Sequence, residues 1–387
     1  MKSSTTQFAA AALPLAGIKV LDFSTLLPGP LAGLLLAEAG ADVVKVERPG
    51  GEDMRRYRIA LGEASVNFAL LNRGKRSLCL DLKNDADRRR LQPYLAAADV
   101  LIEQFRPGVM ERLGFGYDRL RLINRGLIYC AITGYGQDGP RRDTAGHDLN
   151  YMAETGLLGL TRGVDGAPGV PPVLAADIGG GALPAVINIL LALRRRDATG
   201  EGCQLDIAMA DNLFTFAYWG LGAGFATAAW PRPGRELISG GSPRYRIYRT
   251  ADDQYLAVAP IEERFWQVFC DAIGLSIEQR DDASDPSGVI EAVARRIASA
   301  TAKEWQQRLR GLDACVSVVA SLQEAAADPA FVARGLFSRR VSDGGGPSIP
   351  ALPVPIAANL RRETSSLNYA HLGDANDAIP WPNTTDS

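Results

Sequence analysis

From Ile18 onward the chain alternates short β-branched runs with helical patterns, and this alternation most narrows the folds open to it. IKVLDF reads as strand, PLAGLLLAEAG as helix, ADVVKVE and RSLCLDL as strands, DADRRRLQPYLAAA as helix, then ADVLIEQF and GLIYCAITGYG as strands. Strand runs of this kind separated by helices predict a mainly parallel sheet covered on both faces. A further helix, ALPAVINILLALRRR, is expected to open at Gly181 and to close on arginines that suit the negative end of its dipole, with GCQLDIAMA following as a strand. The expected class is α/β: a large domain with a mainly parallel, Rossmann-like sheet, plus a smaller α+β domain.

The second domain announces itself by a change of texture. Between Trp219 and Leu237 Gly, Ala, Trp and Pro dominate, which marks a crossing between domains. RYRIYRT and QYLAVAP then read as a hairpin, and EERFWQVFCDAIGL and AVARRIASATAKEWQQRL as helices. The predicted division is 1–220 with 330–387 for the large domain and 221–329 for linker and small domain. MKSSTTQFAAAALPLAG reads as a disordered leader, and LGDANDAIPWPNTTDS as a polar tail beside an exposed His371 without a role.

Composition excludes several classes of function. The chain has 387 residues, 47% of them hydrophobic and 22% charged, and a formal net charge of -2. Nothing global draws it to nucleic acid or to an anionic membrane, and no uninterrupted run approaches the ~18 apolar residues of a membrane span. Cys79, Cys130, Cys203, Cys270 and Cys315 are scattered, with no CxxC or HExxH pattern. They read as buried thiols of a reducing cytoplasm, and no metal site is expected.

Two residues stand out chemically. His147 in TAGHDLNY is one of only two histidines, and Asp177 follows it in LAADIGGG. A histidine and a carboxylate tuned by one pocket can each take or give a proton near neutral pH. The bland alternatives are a half-buried histidine satisfied by backbone and an aspartate that caps a helix. The glycines after Asp177 would let a substrate approach backbone, and a helix N-terminus there could stabilise an oxyanion.

Other motifs define what the chain lacks. Glu47 ends the second strand where a ribose-binding acid would stand, but PGPLAG places Pro30 and Leu31 where a GxGxxG turn needs bare backbone, which argues against a nicotinamide cofactor. No GxSxG elbow supports a serine nucleophile. Lys45, Arg48, Arg55, Arg56, Arg58, Arg73, Lys75 and Arg76 crowd one stretch against Glu47, Glu52, Asp53 and Glu63. That stretch reads either as a solvated surface or as a phosphate site, Arg48 and Lys75 being placed at loop positions where open α/β sheets bind ligands.

Taken together, LAGIKVLDFSTLLPGPLAGLLLAEAGADVVKVERPGG, LNRGKRSLCLDLK, VLIEQFRPGVMERLG, ITGYGQDGP and DIGGG resemble the family III CoA-transferase (CaiB/BaiF) group across nearly the whole chain. AGHDLNY, ADIGGG and PIEERF resemble its α-methylacyl-CoA racemase branch. The resemblance implies an acyl-CoA ligand, no cofactor beyond the coenzyme A moiety, and an interlocked homodimer of open-ring chains. It implies that His147 and Asp177 are the proton-transfer pair and that Glu262 supports the histidine. In a transferase of the group Asp177 would instead be the nucleophile. Arg48, Asn72, Lys75 and Arg106 are the implied holders of coenzyme A, with Tyr135 lining the acyl end. A non-catalytic acyl-CoA binder is the remaining reading.

Overall fold

The computed structural model describes residues 13–162, 166–378 and 381. Two compact units emerge: residues 1–155, 173–214 and 330–387 form the first, and 156–172 with 215–329 the second. The second unit therefore starts before the expected residue 221 and takes in an excursion at 156–172, a stretch rich in Gly and Pro. Tyr218–Thr227, in the stretch expected as a crossing, is helical.

The first unit is built on six parallel strands: β1 (Lys19–Asp22), β2 (Asp42–Glu47), β3 (Arg76–Cys79), β4 (Val100–Glu103), β5 (Ile128–Thr133) and β6 (Cys203–Ala208). Their spatial order is β3-β2-β1-β4-β5-β6, the doubly wound arrangement in which the chain reverses direction across the sheet between β1 and β4. Strands covered on both faces read as unbroken apolar runs, and Val20, Leu21, Val44, Leu101, Ile102 and Ile128 are all fully buried. Helices α1 (Pro28–Glu38), α2 (Val66–Asn72) and α3 (Asp85–Ala97) belong to this unit. So do α4 (Asp148–Glu154), α5 (Ala175–Thr199) and α6 (Met209–Leu213).

Helix α5 opens at Ala175, six residues before the expected Gly181, and its first stretch, Ala175–Ala182, has π geometry. By length and mean hydropathy (1.7) it could cross a membrane, although Asp177, Asn188 and three glycines interrupt it. In this fold it buries Ala185, Ile189 and Leu193.

Described residues of the expected polar tail are held against the sheet. Edge strand β3 leaves backbone N–H groups that would otherwise face solvent. Ser77 N–H donates to Asp374 Oδ1 and Cys79 N–H to Asn376 Oδ1, each at 2.8 Å, while Trp381 Nε1 donates to Asp42 Oδ2 at 2.7 Å. His371, exposed as expected, faces Glu63 Oε2 at 2.8 Å. Residues 1–12 of the expected leader lie outside the described residues, whereas Leu15 is already buried.

In the second unit β7 (Arg246–Arg249) and β8 (Tyr255–Val258) pair antiparallel as the expected hairpin, joined by β9 (Val316–Val318). Helix α7 (Glu263–Ile273) matches its expected span. The long run AVARRIASATAKEWQQRL divides into α8 (Pro286–Ile297) and α9 (Ala302–Arg308), because Thr301 caps the second with Glu304 in a capping box. Trp266, Phe269, Val293 and Trp305 form the core of this unit. Among the five free cysteines only Cys130 and Cys270 are buried, and Cys315 is exposed, contrary to the expectation of five buried thiols.

Candidate active site

The loops at the carboxyl ends of β1 and β4 flank the point where strand order reverses, and ligands of open α/β sheets bind there. Two cavities occupy this edge. One, of about 470 Å³, is lined by Gln104, Arg106, Arg142, Tyr151, His147 and Asp177. The other, of about 420 Å³, is lined by Ser24, Glu47, Arg48, Asp53 and Lys83. Leu26 and Phe105 line both, so the cavities share a wall. Gly29 is required at the start of α1 because a Cβ there would come within 2.1 Å of Ser24 Cβ; its N–H donates to Gln104 Oε1 at 3.0 Å, tying the α1 entrance to the loop after β4.

His147 is the N-cap of α4, and its backbone N–H donates to Asn150 Oδ1 at 3.1 Å. Its side chain is exposed toward the larger cavity. Asp177 stands in the π-helical opening of α5, half-buried on the wall of the same cavity. Burial, and then the negative charge of Asp148, push its carboxyl up to about 6, with His147 pulling the other way. A carboxyl tuned to that range is populated in both protonation states near neutral pH, which is what a group that must both accept and release a proton requires.

The turn that carries Asp177 is held from outside its own helix. Asp148 Oδ1 accepts from Ala176 N–H at 2.7 Å and from Asp177 N–H at 2.9 Å. Two of the donors expected to stabilise an oxyanion at this helix start are therefore already engaged. The glycine run also serves packing rather than substrate approach at Gly180, where a Cβ would meet Met209 O at 2.4 Å; Asn212 Nδ2 donates to Gly180 O at 2.8 Å. Absence of a side chain at Gly180 lets α5 press onto α6.

The implied coenzyme A residues separate into two groups. Arg48 is 62% exposed on the wall of the smaller cavity and pairs with Asp53 at 2.6 Å. Arg106 is exposed on the wall of the larger one. Lys75 and Asn72, by contrast, are interior. Lys75 Nζ donates to Asp22 Oδ2 (2.8 Å), Pro30 O (2.8 Å) and Asn72 Oδ1 (2.9 Å), which uses all three of its protons. Burial lowers the Lys75 ammonium to about 8. Burial alone would raise Asp22, but Lys75 and Lys45 outweigh it and hold that carboxyl below its ordinary value, so the pair is ionised at neutral pH. Tyr135 lies behind Tyr151, ring centroids 5.2 Å apart and edge to face, and it is Tyr151 that forms the cavity wall.

Other members of the basic stretch are paired in the same way. Lys45 meets Glu52 at 3.4 Å, Arg55 meets Glu47 at 2.7 Å, Arg73 meets Glu38 at 2.9 Å and Arg76 meets Asp42 at 2.7 Å. Lys45, Arg55, Arg73 and Lys75 are thus interior and paired with acids, whereas Arg48, Arg56 and Arg58 remain exposed, so the stretch is partly buried ion pairs and partly surface. Lys75→Ala is expected to cost about 3–5 kcal/mol, because it strands the buried Asp22 charge. Urea denaturation measures this; a stable variant with weakened coenzyme A binding would return Lys75 to the ligand set.

Residues 15–368 match the model of CoA-transferase family III. The chain belongs to that family. This family III protein is 38% identical over 364 residues to the α-methylacyl-CoA racemase of Mus musculus, covering 92% of this chain and 88% of the relative. It is 31% identical over 356 residues to the acetyl-CoA:oxalate CoA-transferase of Acetobacter aceti, covering 89% of each. A CaiB/BaiF family crystal structure from Brucella suis superposes with a TM-score of 0.80 at 28% identity, covering 95% of this chain and 98% of that one. The family III fold is thus that of the chain as a whole.

Glu262 belongs to the second unit, exposed at the N-cap of α7, where its side chain makes no capping bond. Sequence reasoning missed Asp148, Gln104, Arg142 and Lys83. Asp148 carried a signal, being an acid in the first turn of a helix beside His147, but its partners lie on α5.

Proposed function

We propose that the protein is an α-methylacyl-CoA racemase that moves the proton at C2 of 2-methyl-branched acyl-CoA thioesters through an enolate. The observation that carries this is that His147 and Asp177 line one cavity, with Asp177 tuned to about 6. In one direction the ionised Asp177 takes the C2 proton and the resulting enolate takes a proton from the His147 imidazolium on the opposite face. In the other direction the roles exchange. Arg106 and Arg142 give the cavity a positive potential that favours the enolate. The smaller cavity, with Arg48 and Lys83, suits the nucleotide end of coenzyme A, and the wall shared through Leu26 and Phe105 leads toward the acyl end. A homodimer in the cytoplasm completes the reading; Ile187, Leu190 and Leu191 on α5 are exposed apolar residues that a second copy would cover.

The second reading is a CoA-transferase, favoured by the similarity to the Acetobacter aceti enzyme. There Asp177 attacks the donor thioester, a mixed anhydride forms, and coenzyme A thiolate leaves. One experiment divides the two. Incubated in D2O with a 2-methylacyl-CoA and no acceptor acid, the protein is expected to exchange the α-hydrogen for deuterium, read by mass spectrometry. Rapid CoA movement to an added carboxylate, with negligible exchange in its absence, would sink the racemase reading.

A further inference from the structure

We infer that Asp148 is a positioning residue that locks the two proton carriers into one unit, its carboxylate gripping the backbone that bears Asp177 while the residue before it is His147. The inference rests on the proposed role of Asp177 as a proton carrier, and it starts from a helix end. The first N–H groups of any helix lack intrahelical partners, and the opening of α5 is a π segment with three glycines, a sequence that by itself constrains the backbone weakly. A single oxygen of Asp148 accepts from two consecutive N–H groups, those of Ala176 and Asp177 itself. Asp148 is 6% exposed, so its place is set by packing rather than by solvent.

The other end of the link is equally short. Asp148 is the first residue of α4 and His147 its N-cap. Asn150 Oδ1 accepts from the His147 N–H, and Tyr151 Oη donates to Gly146 O at 2.6 Å, so the backbone on both sides of His147 is pinned by the same helix. A displacement of α4 would therefore carry His147 and the Asp177 turn together. Proton transfer between two groups and one carbon depends steeply on such distances, and a misplacement of about 1 Å can cost about 10²-fold.

The Asp148 charge acts as well. The charged and titratable groups facing Asp177 are His147, Asp148 and Tyr151 from α4 and its cap, with Arg106 and Arg142 on the same cavity wall. Helix α1 contributes Pro28 to that wall and α6 contributes Met209, while Asp211 on α6 points to solvent. Of these, Asp148 is the one that works with burial to keep the Asp177 proton on, against His147.

Two variants test the inference. Asp148→Asn keeps the accepting oxygen and removes the charge; Asp148→Ala removes both. Protein labelled with [4-13C]aspartate is titrated by NMR without substrate, with Asp177→Asn identifying the resonance. The wild-type midpoint is expected near 6, and in Asp148→Asn it is expected to move down toward the ordinary carboxylate range. Asp148→Ala is expected to lose about 10²-fold in kcat at pH 8, where Asp177 is ionised in every variant, with KM nearly unchanged, while Asp148→Asn at that pH keeps most of kcat. Turnover is read as α-exchange or as CoA transfer, whichever the wild type performs, so a failure of the racemase reading leaves both measurements intact. An unmoved midpoint in Asp148→Asn, or a folded Asp148→Ala with wild-type kcat, overturns the inference. Should Asp148→Ala not fold, the midpoint of the near-isosteric Asp148→Asn decides.

Discussion

His147→Ala is expected to lower α-hydrogen exchange by about 10²–10⁴-fold while leaving coenzyme A affinity nearly unchanged. The imidazole is exposed to the cavity, and what His147 contributes to the fold is backbone: its N–H to Asn150 and its place at the start of α4. Alanine keeps both, so the loss falls on turnover. Arg48→Ala should show the opposite defect. Arg48 lines the neighbouring cavity, and a remote cation contributes to binding in the ground and transition states alike, which raises KM with kcat intact. Steady-state kinetics with calorimetric coenzyme A titrations separate the two. Equal loss of affinity in both variants, with turnover at saturation preserved, would show the roles to be wrongly assigned.

Asp177→Asn is expected to abolish exchange altogether, because the amide can neither take nor return the C2 proton. The pH dependence follows from the raised pKa of Asp177. In the direction where Asp177 is the base, its ionised form is needed, so activity should fall as pH drops through about 6 rather than through the ordinary aspartate range. The same residue distinguishes the two enzymatic readings. A transferase acylates this carboxylate, and hydroxylamine or borohydride added after acyl-CoA would mark it; a racemase leaves it unmodified. Peptide mass spectrometry of trapped wild-type protein is expected to find Asp177 bare. An adduct formed at the rate of turnover would overturn the racemase assignment in favour of transfer.

Local pattern determined much of this protein. The six parallel strands, the hairpin of the second unit and the helices α3 and α7 follow from β-branched runs and helical periodicity, signals carried within a few residues. His147 and Asp177 were legible as chemistry because histidine is scarce here and an acid before a glycine run is distinctive. Their shared cavity was not legible, since it depends on α4 and α5 meeting at the edge of the sheet. Lys75 and Asn72 show the limit most plainly. A lysine in a basic stretch looks the same in sequence whether it faces solvent or Asp22, and strand order alone sets β1 beside β2 and β2 beside β3, bringing acids from distant segments into the interior. The edge contacts of Asp374 and Asn376, the excursion at 156–172 and the grip of Asp148 on α5 have the same origin. Periodicity tells which face of an element is buried; which partner waits there is decided only when the chain closes on itself.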